Sequence, residues 1–287
     1  MRRITSLGFR TDVALRVLEG AEVTDRGDYL VVRSPRNPDF WWGNFLLLAG
    51  WPGPGTADSW LARFAAEFPL AGHVTLGVDS AGQDGIGRDG ISQGGIGRDG
   101  ISQDGVGDDG VITAEFLAAG LEPQRDTVLT CAAVGPPPHP SAEAEIRRLE
   151  SDGDWQQSVE LTLRCFDHAE PHDYLEKRTA ARRRLTREGR GAWFGAFAGG
   201  RLLAQLGLLD AGDGYARYQH VETHPEARRR GLAGTLVWHA GRYGREVLGA
   251  STFVIVADPA DVAIRVYRAC GFADTQRQFG FERPAED

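Results

Sequence analysis

The stretch Val221–Gly234, which reads VETHPEARRRGLAG, is the part of the sequence that decides the fold. A strand pattern over Tyr215–Thr223 leads through a short turn into a helical pattern over Gly231–Val247. The first turn of a helix has N–H groups without intrahelical partners and the positive end of the helix dipole, so it attracts phosphate. Three consecutive arginines precede this helix, and its glycines let a bulky anion approach the backbone. The stretch therefore predicts a phosphate site whose natural ligand is a diphosphate.

A second stretch, Ala263–Phe272 (AIRVYRACGF), follows the apolar strand pattern of Thr252–Ala257 and puts Tyr267 on a short helix. Together the two stretches resemble the GCN5-related N-acetyltransferase (GNAT) superfamily. Its diphosphate loop reads Q/R-x-x-G-x-G/A, and its last helix reads A-x-x-x-Y-x-x-x-G-F. Three residues match the loop pattern, namely Arg228, Gly231 and Ala233. The resemblance covers about residues 150 to 284 and does not specify the acceptor.

The resemblance implies a mixed α/β GNAT fold for residues 144–287 and acetyl-CoA as the acyl donor. It implies that the strand backbone pairs with the pantetheine arm, that the turn holds the diphosphate, and that Tyr267 protonates the departing thiolate. The residues implied to bind the donor are Val221, Glu222, Thr223, Arg228, Arg229, Arg230, Gly231, Leu232, Ala233 and Gly234. Many members have Asn seven residues before this Tyr, where the present sequence has Ala260.

The chemistry of the acceptor indicates two further residues. An amine that attacks a thioester must first lose a proton, and a general base accelerates such steps by ~10²–10⁴-fold. His220 and Glu222 alternate onto the same face of the predicted strand, and either can serve as the base. A hydrogen-bonded packing role for His220 stays open. We expect an N-acetyltransferase that acts on an amine of a small molecule or peptide; the alternative is a non-catalytic CoA-binding sensor or scaffold.

The rest of the second half alternates between helix and strand patterns. Helices are predicted over Asp154–Cys165 and Leu175–Glu188, and the arginines of the second helix are interpreted as a solvated face. Trp193–Phe197 and Arg201–Leu209 are predicted as strands joined by a glycine hairpin, and Phe272–Phe281 as the last strand.

The first half repeats this order of elements in weaker form. The matching segments are Asn44–Gly50 (strand), Ser59–Phe68 (helix), His73–Val78 (strand) and Glu115–Leu121, which parallels Val266–Phe272. Phe116 stands where the second half has Tyr267, and the loop Pro52–Thr56 has prolines and no arginine. We therefore predict a degenerate GNAT-like domain over residues 1–134 that binds no CoA; an unrelated α/β cap is the alternative. The aromatic run Phe40–Phe45 is either strand core or a wall of the acceptor pocket.

Two segments interrupt these patterns. Gly82–Val111 consists of six pentads with Gly fourth and Ile or Val fifth. One small aliphatic residue per pentad is too little to offset the entropy of ordering, so we predict a disordered insertion loop; a short solenoid or calcium-binding repeat is the alternative. Cys131–Ser141 has three consecutive prolines, and we predict a domain linker over residues 135–143.

Composition limits the remaining classes of function. The chain has 287 residues and a net charge of −8, so a generic nucleic-acid binder is not expected. Its three cysteines are far apart and predict neither a disulfide framework nor a metal site. No apolar run reaches the ~20 residues that span a bilayer. We expect a cytoplasmic protein, monomeric or homodimeric, that contacts neither nucleic acid nor membrane.

Overall fold

The computed structural model describes residues 2–80, 108–165 and 172–285, which form one mixed sheet of eleven strands covered by helices. The strands are β1 (Glu22–Asp25), β2 (Tyr29–Arg33), β3 (Phe45–Leu48), β4 (Val74–Val78), β5 (Glu122–Cys131), β6 (Glu145–Arg148), β7 (Gly191–Ala198), β8 (Arg201–Asp210), β9 (Tyr215–Thr223), β10 (Thr252–Ala257) and β11 (Ala273–Arg283). The helices are α1 (Leu7–Glu19), α2 (Ala57–Glu67), α3 (Asp108–Ala118), α4 (Asp152–Cys165), α5 (His172–Arg187), α6 (Leu232–Glu246) and α7 (Ala263–Ala269). This architecture confirms the predicted mixed α/β class.

The order of the strands interleaves the two halves of the chain. The sheet runs β1-β2-β3-β4-β11-β5-β10-β9-β8-β7-β6. Among the described strands, only β3 with β4 and β9 with β10 pair in parallel. The last strand of the first half, β5, lies between β10 and β11, and the last strand of the chain, β11, lies between β4 and β5. The predicted division at residues 135–143 stays a prediction, but the sheet is continuous across it.

Alternating residues of the central strands face two separate cores. Leu208 packs in the cluster beneath α6 and α7, whereas its neighbour Leu209 packs with Leu15 of α1 and Leu185 of α5. The helices α1, α4 and α5 therefore cover one face in the second half, and α6 and α7 cover the other.

Most predicted elements of both halves are present. The strands Tyr215–Thr223 and Thr252–Ala257 have the predicted bounds, and the other predicted elements differ by a few residues at their ends. Both halves also have the predicted order of strand, loop, helix, strand, helix, glycine and strand.

The sequence patterns missed α1, β1, β2 and β6. In α1 the apolar positions are interrupted by charged residues that the fold buries or pairs. Arg16 stacks on Phe40, with its guanidinium carbon 4.7 Å from the ring centre, and Asp12 forms a 3.0 Å ion pair with Arg217. These partners come from distant parts of the chain, so the helix was not recognisable as amphipathic from its own residues.

Two further expectations can be compared with the structure. The prediction of a solvated arginine face on α5 is wrong for Arg182, which is 4% exposed and lies over Trp193. Burial lowers the pKa of this guanidinium to about 9.

Of the predicted insertion loop Gly82–Val111, residues 108–111 begin α3, and the others lie outside the described residues. Within the described ranges, no helix has both the length and the apolar character of a membrane span.

Candidate active site

The parallel strands β9 and β10 separate part of the way along their length. In the described chain they pair only from Tyr215 with Thr252 to Arg217 with Val254. The register of β9 against β8 then shifts, so that β9 carries an extra residue, and His220 has the left-handed φ of 49°. The edge of β9 over residues 218–223 is therefore free on the side of β10, whose other edge stays paired with β5. We call this opening the β9–β10 slot.

At its far end the slot meets the turn that enters α6. The imidazole of His224 accepts a hydrogen bond from the Glu226 N–H, which starts a short 3₁₀ helix over Pro225–Ala227. Arg229 and Gly231 then have φ values of 63° and 75°, which fold the chain tightly into the helix. Among the described hydrogen bonds, none is donated by the backbone N–H groups of Arg229, Arg230 or Gly231. These N–H groups are the donors that the sequence assigns to a diphosphate.

The three arginines of this turn have different surroundings. Arg228 donates from Nε to the Thr223 carbonyl at 3.4 Å, and Arg230 forms a 2.7 Å ion pair with Glu143. Arg229 is exposed and has no ion pair within the described ranges. The turn therefore presents one unpaired guanidinium and two that are partly engaged.

Residues 135–143, here called the strap, lie against the first turns of α6. A side chain at Gly231 would collide with the His139 carbonyl oxygen, and one at Gly234 would meet Pro137 at 2.8 Å. The Ser141 N–H donates to the Thr235 hydroxyl at 2.9 Å. The space that these glycines leave beside the helix is thus filled by the chain itself.

On the α4 and α5 side of the sheet, Glu222 is buried in a polar cluster. Its Oε2 accepts hydrogen bonds from the Thr162 hydroxyl at 2.8 Å and from the Gln205 amide at 2.6 Å. Its Oε1 is buried, has no hydrogen-bond partner in the described chain, and lies 3.5 Å from His220 Nδ1. The carboxylate is therefore oriented by two donors and retains one oxygen for a further partner.

His220 is brought beside Glu222, on the shared face that the sequence predicts. Burial, with the charges of Arg178, Arg182 and Arg16, holds the pKa of its imidazole well below the ordinary value. The ring is neutral and its Nε2 faces the guanidinium of Arg178, so its single proton belongs on Nδ1, toward Glu222. No hydrogen bond joins this Nδ1 to Glu222 Oε1 in the described chain, where the two atoms are 3.5 Å apart, and Nε2 of His220 is occupied by Arg178.

Tyr267 lies on the opposite face, in the core cluster beneath α6 and α7. Its side chain is 5% exposed, and its hydroxyl has no hydrogen bond among the described residues. Burial raises its pKa well above the ordinary value, so the hydroxyl keeps its proton at neutral pH.

Several residues around the site were not identified from the sequence. Gln205 is the one polar residue in the apolar interior of β8, a signal that was available. Asp126 of β5 gave no such signal. It belongs to the first half of the chain, and the sequence does not show that β5 inserts between β10 and β11 of the second half. Asp126 lies on the face of Arg217, and burial together with the charge of Asp12 raises its pKa to about 6.

The aromatic run Phe40–Phe45 contributes to the core through Phe45, and its role as a wall of the acceptor pocket stays a prediction. Phe45 is fully buried in the core with Phe9. Phe40 reaches the second half instead, where its ring lies 5.8 Å from that of Tyr174 and 4.8 Å from the guanidinium carbon of Arg178. The first half thus borders the face on which Glu222 and His220 lie.

The corresponding place in the first half is closed. The strands β3 and β4 stay paired to Leu48 and Val78, and the Asp79 N–H extends the pairing to the Leu48 carbonyl. At the start of α2, the carboxylate of Glu115 accepts hydrogen bonds from the Gly55 and Ala57 N–H groups at 2.7 and 2.5 Å. An internal anion therefore occupies the helix terminus there, and the described part of the first half has no slot beside it.

Comparisons with known proteins agree with this architecture. Residues 155–272 match the model of the acetyltransferase (GNAT) family. A comparison with curated proteins gives no match. The chain is similar to a GCN5-related N-acetyltransferase from Kribbella flavida, with 15% identity, 98% of both chains covered and a TM-score of 0.58. It is also similar to a functionally unknown conserved protein from Staphylococcus epidermidis, with 11% identity, 93% of this chain and 95% of that chain covered, and a TM-score of 0.63.

A tandem GNAT protein from the clavulanic acid biosynthesis pathway is a further structural neighbour. It has 16% identity and a TM-score of 0.51, and the match covers 98% of this chain and 95% of that chain. At such identities the likeness concerns the fold. The second half of this chain thus carries a domain of the GNAT family, and its first half has a GNAT-like fold.

Proposed function

We propose that the chain is an acetyl-CoA-dependent N-acetyltransferase whose second half binds the donor and carries out the transfer. The observation that carries this proposal is the β9–β10 slot, which opens after Arg217, passes Glu222 and ends at the turn into α6. A free strand edge can pair with the amides of a pantetheine arm. The N–H groups and guanidinium groups at the turn suit a diphosphate.

Acetyl-CoA supplies an activated acyl group as a thioester. The main chain of Val221–Thr223 would hold its arm, and the turn from Arg228 to Gly234 would hold its diphosphate. These donor groups fit the ligand, although the strap lies beside Gly231 and Gly234. No metal is needed for this scheme.

The side chains on the two faces have complementary roles in proton transfer. Glu222 would take the proton of the incoming ammonium on Oε1, while Thr162 and Gln205 hold Oε2. Tyr267 would donate its hydroxyl proton to the departing thiolate, which it can do because it stays protonated at neutral pH. The acceptor is an amine of a small molecule or peptide that approaches from the side of α5 and Phe40.

A thiol-release assay with acetyl-CoA and a panel of amines tests the activity. Glu222→Gln keeps the shape and removes the base, so we expect at least a tenfold fall in the rate with the best acceptor. Glu226→Gln, which removes an exposed carboxylate outside the cluster, is the matched control. CoA binding with no thiol release in the presence of any amine would favour a non-catalytic CoA-binding module.

Calorimetric titration with CoA tests the donor site separately. The double change Arg229→Glu and Arg230→Glu reverses the charge at the turn, and we expect it to abolish binding. Arg187→Glu with Arg190→Glu makes the same change in net charge at exposed positions and should leave binding intact. Undiminished affinity in the first variant would contradict a diphosphate site at this turn.

A further inference from the structure

The strap crosses the donor turn in a defined conformation. Its lower end is anchored, because the Gly135 N–H donates to the Cys270 carbonyl at 2.9 Å and Pro137 is buried against Gly234. From there it follows α6 toward its N-terminal end and continues into β6.

At the upper end, the strap presents negatively polarised atoms to the donor turn. The His139 carbonyl oxygen lies against Gly231, and the Glu143 carboxylate binds Arg230 at 2.7 Å. These are the backbone position and the guanidinium that a diphosphate would also use. A carbonyl oxygen and a carboxylate repel phosphate oxygens. A diphosphate therefore binds Gly231 and Arg230 more weakly while the strap contacts them.

The composition of the strap favours a stiff segment. Four of the seven residues in Gly135–Ser141 are proline, which fixes φ and favours an extended, stiff segment. Its described upper anchors are few, namely one hydrogen bond from Ser141 and the ion pair of Glu143, whose partners are 42% and 73% exposed. An exposed pair of this kind changes an equilibrium by about two- to fivefold.

We propose that the strap is a gate over the donor site, and that Glu143 lowers donor affinity by competing with the diphosphate for Arg230. The upper part of the strap, from His139 to Glu143, withdraws from α6 when CoA binds, while the anchor at Gly135 holds. This inference rests on the proposed function, because it concerns the same turn.

Titration with CoA at low ionic strength measures the competition. Glu143→Gln removes the competing charge, and we expect CoA to bind two- to fivefold more tightly than to the wild-type chain. Glu145→Gln removes an equally exposed carboxylate two residues on, which is away from Arg230, and should leave the affinity unchanged. The difference should shrink as salt is added, because the pair is exposed.

Hydrogen exchange of the wild-type chain measures the movement. The Ser141 N–H is bonded to Thr235 in the absence of donor, so saturating CoA should accelerate exchange at residues 141–143. Slower or unchanged exchange there, or equal CoA affinities for the two glutamine variants, would overturn the gate while leaving the proposed function standing. Failure of the wild-type chain and both variants to bind CoA would overturn the proposed function and the gate together.

Discussion

At the scale of single residues, the proposed site depends on two polar groups that lack a full set of partners. Glu222 keeps one buried carboxylate oxygen without a hydrogen bond, and Tyr267 has no hydrogen bond from its hydroxyl among the described residues. Buried polar atoms are normally paired, so the unpaired oxygen of Glu222 is expected where a ligand supplies the partner. The two side chains lie on opposite faces of the sheet, and the β9–β10 slot lies between them.

Tyr267→Phe tests the role of the hydroxyl. We expect a several-fold lower transfer rate with little change in CoA affinity, because the ring stays in the core and only the proton donor is lost. Tyr215→Phe, at the paired end of β9, is the control. Steady-state rates and CoA titrations of both variants provide the measurement, and unchanged turnover across the pH range would contradict the role.

Asp126 gives a prediction about stability. Its pKa is about 6 in the fold against an ordinary 3.8, so the folded state binds more protons than the unfolded state between these values, and stability falls as pH rises through this range. Asp126→Asn removes the free-energy cost of ionising this carboxyl group in the folded state. We expect it to raise the free energy of unfolding by on the order of 1–3 kcal/mol at pH 8 and to change it little at pH 4.

Denaturant unfolding at the two pH values measures this effect. Asp39→Asn, at an exposed position, is the control. Its effect on the free energy of unfolding, relative to the wild-type chain, should be the same at the two pH values. A variant of Asp126 that is destabilised at pH 8 would mean that the carboxylate is held by a favourable partner.

At the scale of elements, the two halves use the same strand–turn–helix unit with different outcomes. In the second half a bulge at His220 frees the edge of β9 and the turn before α6 has donors without acceptors. In the first half β3 and β4 stay paired, and Glu115 binds the N–H groups at the start of α2. The donor site that we propose is therefore confined to the second unit.

Glu115→Ala tests this internal cap. Loss of the carboxylate leaves the Gly55 and Ala57 N–H groups to water, and we expect a cost of about 1 kcal/mol in the free energy of unfolding. Glu115→Gln, which keeps one acceptor oxygen, should lose less. Thermal unfolding gives the difference, and calorimetry should still find one CoA per chain, because β3 and β4 remain paired. A second CoA bound to the alanine variant would contradict this account.

At the scale of the whole molecule, the exchange of β5 and β11 joins the halves into one sheet. Phe279–Arg283 pair with β4, and β5 pairs with β10, so each half lacks a central strand when it is alone. The exchange also brings Asp126 to the face of the second half that carries Arg217. We therefore expect the full chain to unfold cooperatively in a single transition.

Fragments test this dependence. Residues 1–134 alone expose the unpaired edge of β4, so we expect an aggregated or unfolded product. The same fragment with residues 272–285 attached through a flexible linker regains the missing strand and should fold. Size-exclusion chromatography and circular dichroism distinguish the two. A monomeric, cooperatively folding fragment 1–134 would show that β11 is dispensable for the first half.

The sequence by itself determined the local elements and placed arginines and glycines at the turn into α6. The alternation of Tyr215–Thr223, the apolar run Thr252–Ala257 and the arginines before Gly231 are local patterns, so they predicted the strands, the helix start and the shared face of His220 and Glu222.

Only the tertiary structure decided the exchange of strands, the burial of Arg182, the polar cluster around Glu222 and the position of the strap. Each of these depends on contacts between residues far apart in the chain. Ser141 and Thr235, for example, are 94 positions apart. Periodicity records which face of an element is apolar, and it carries no information about which distant segment covers that face.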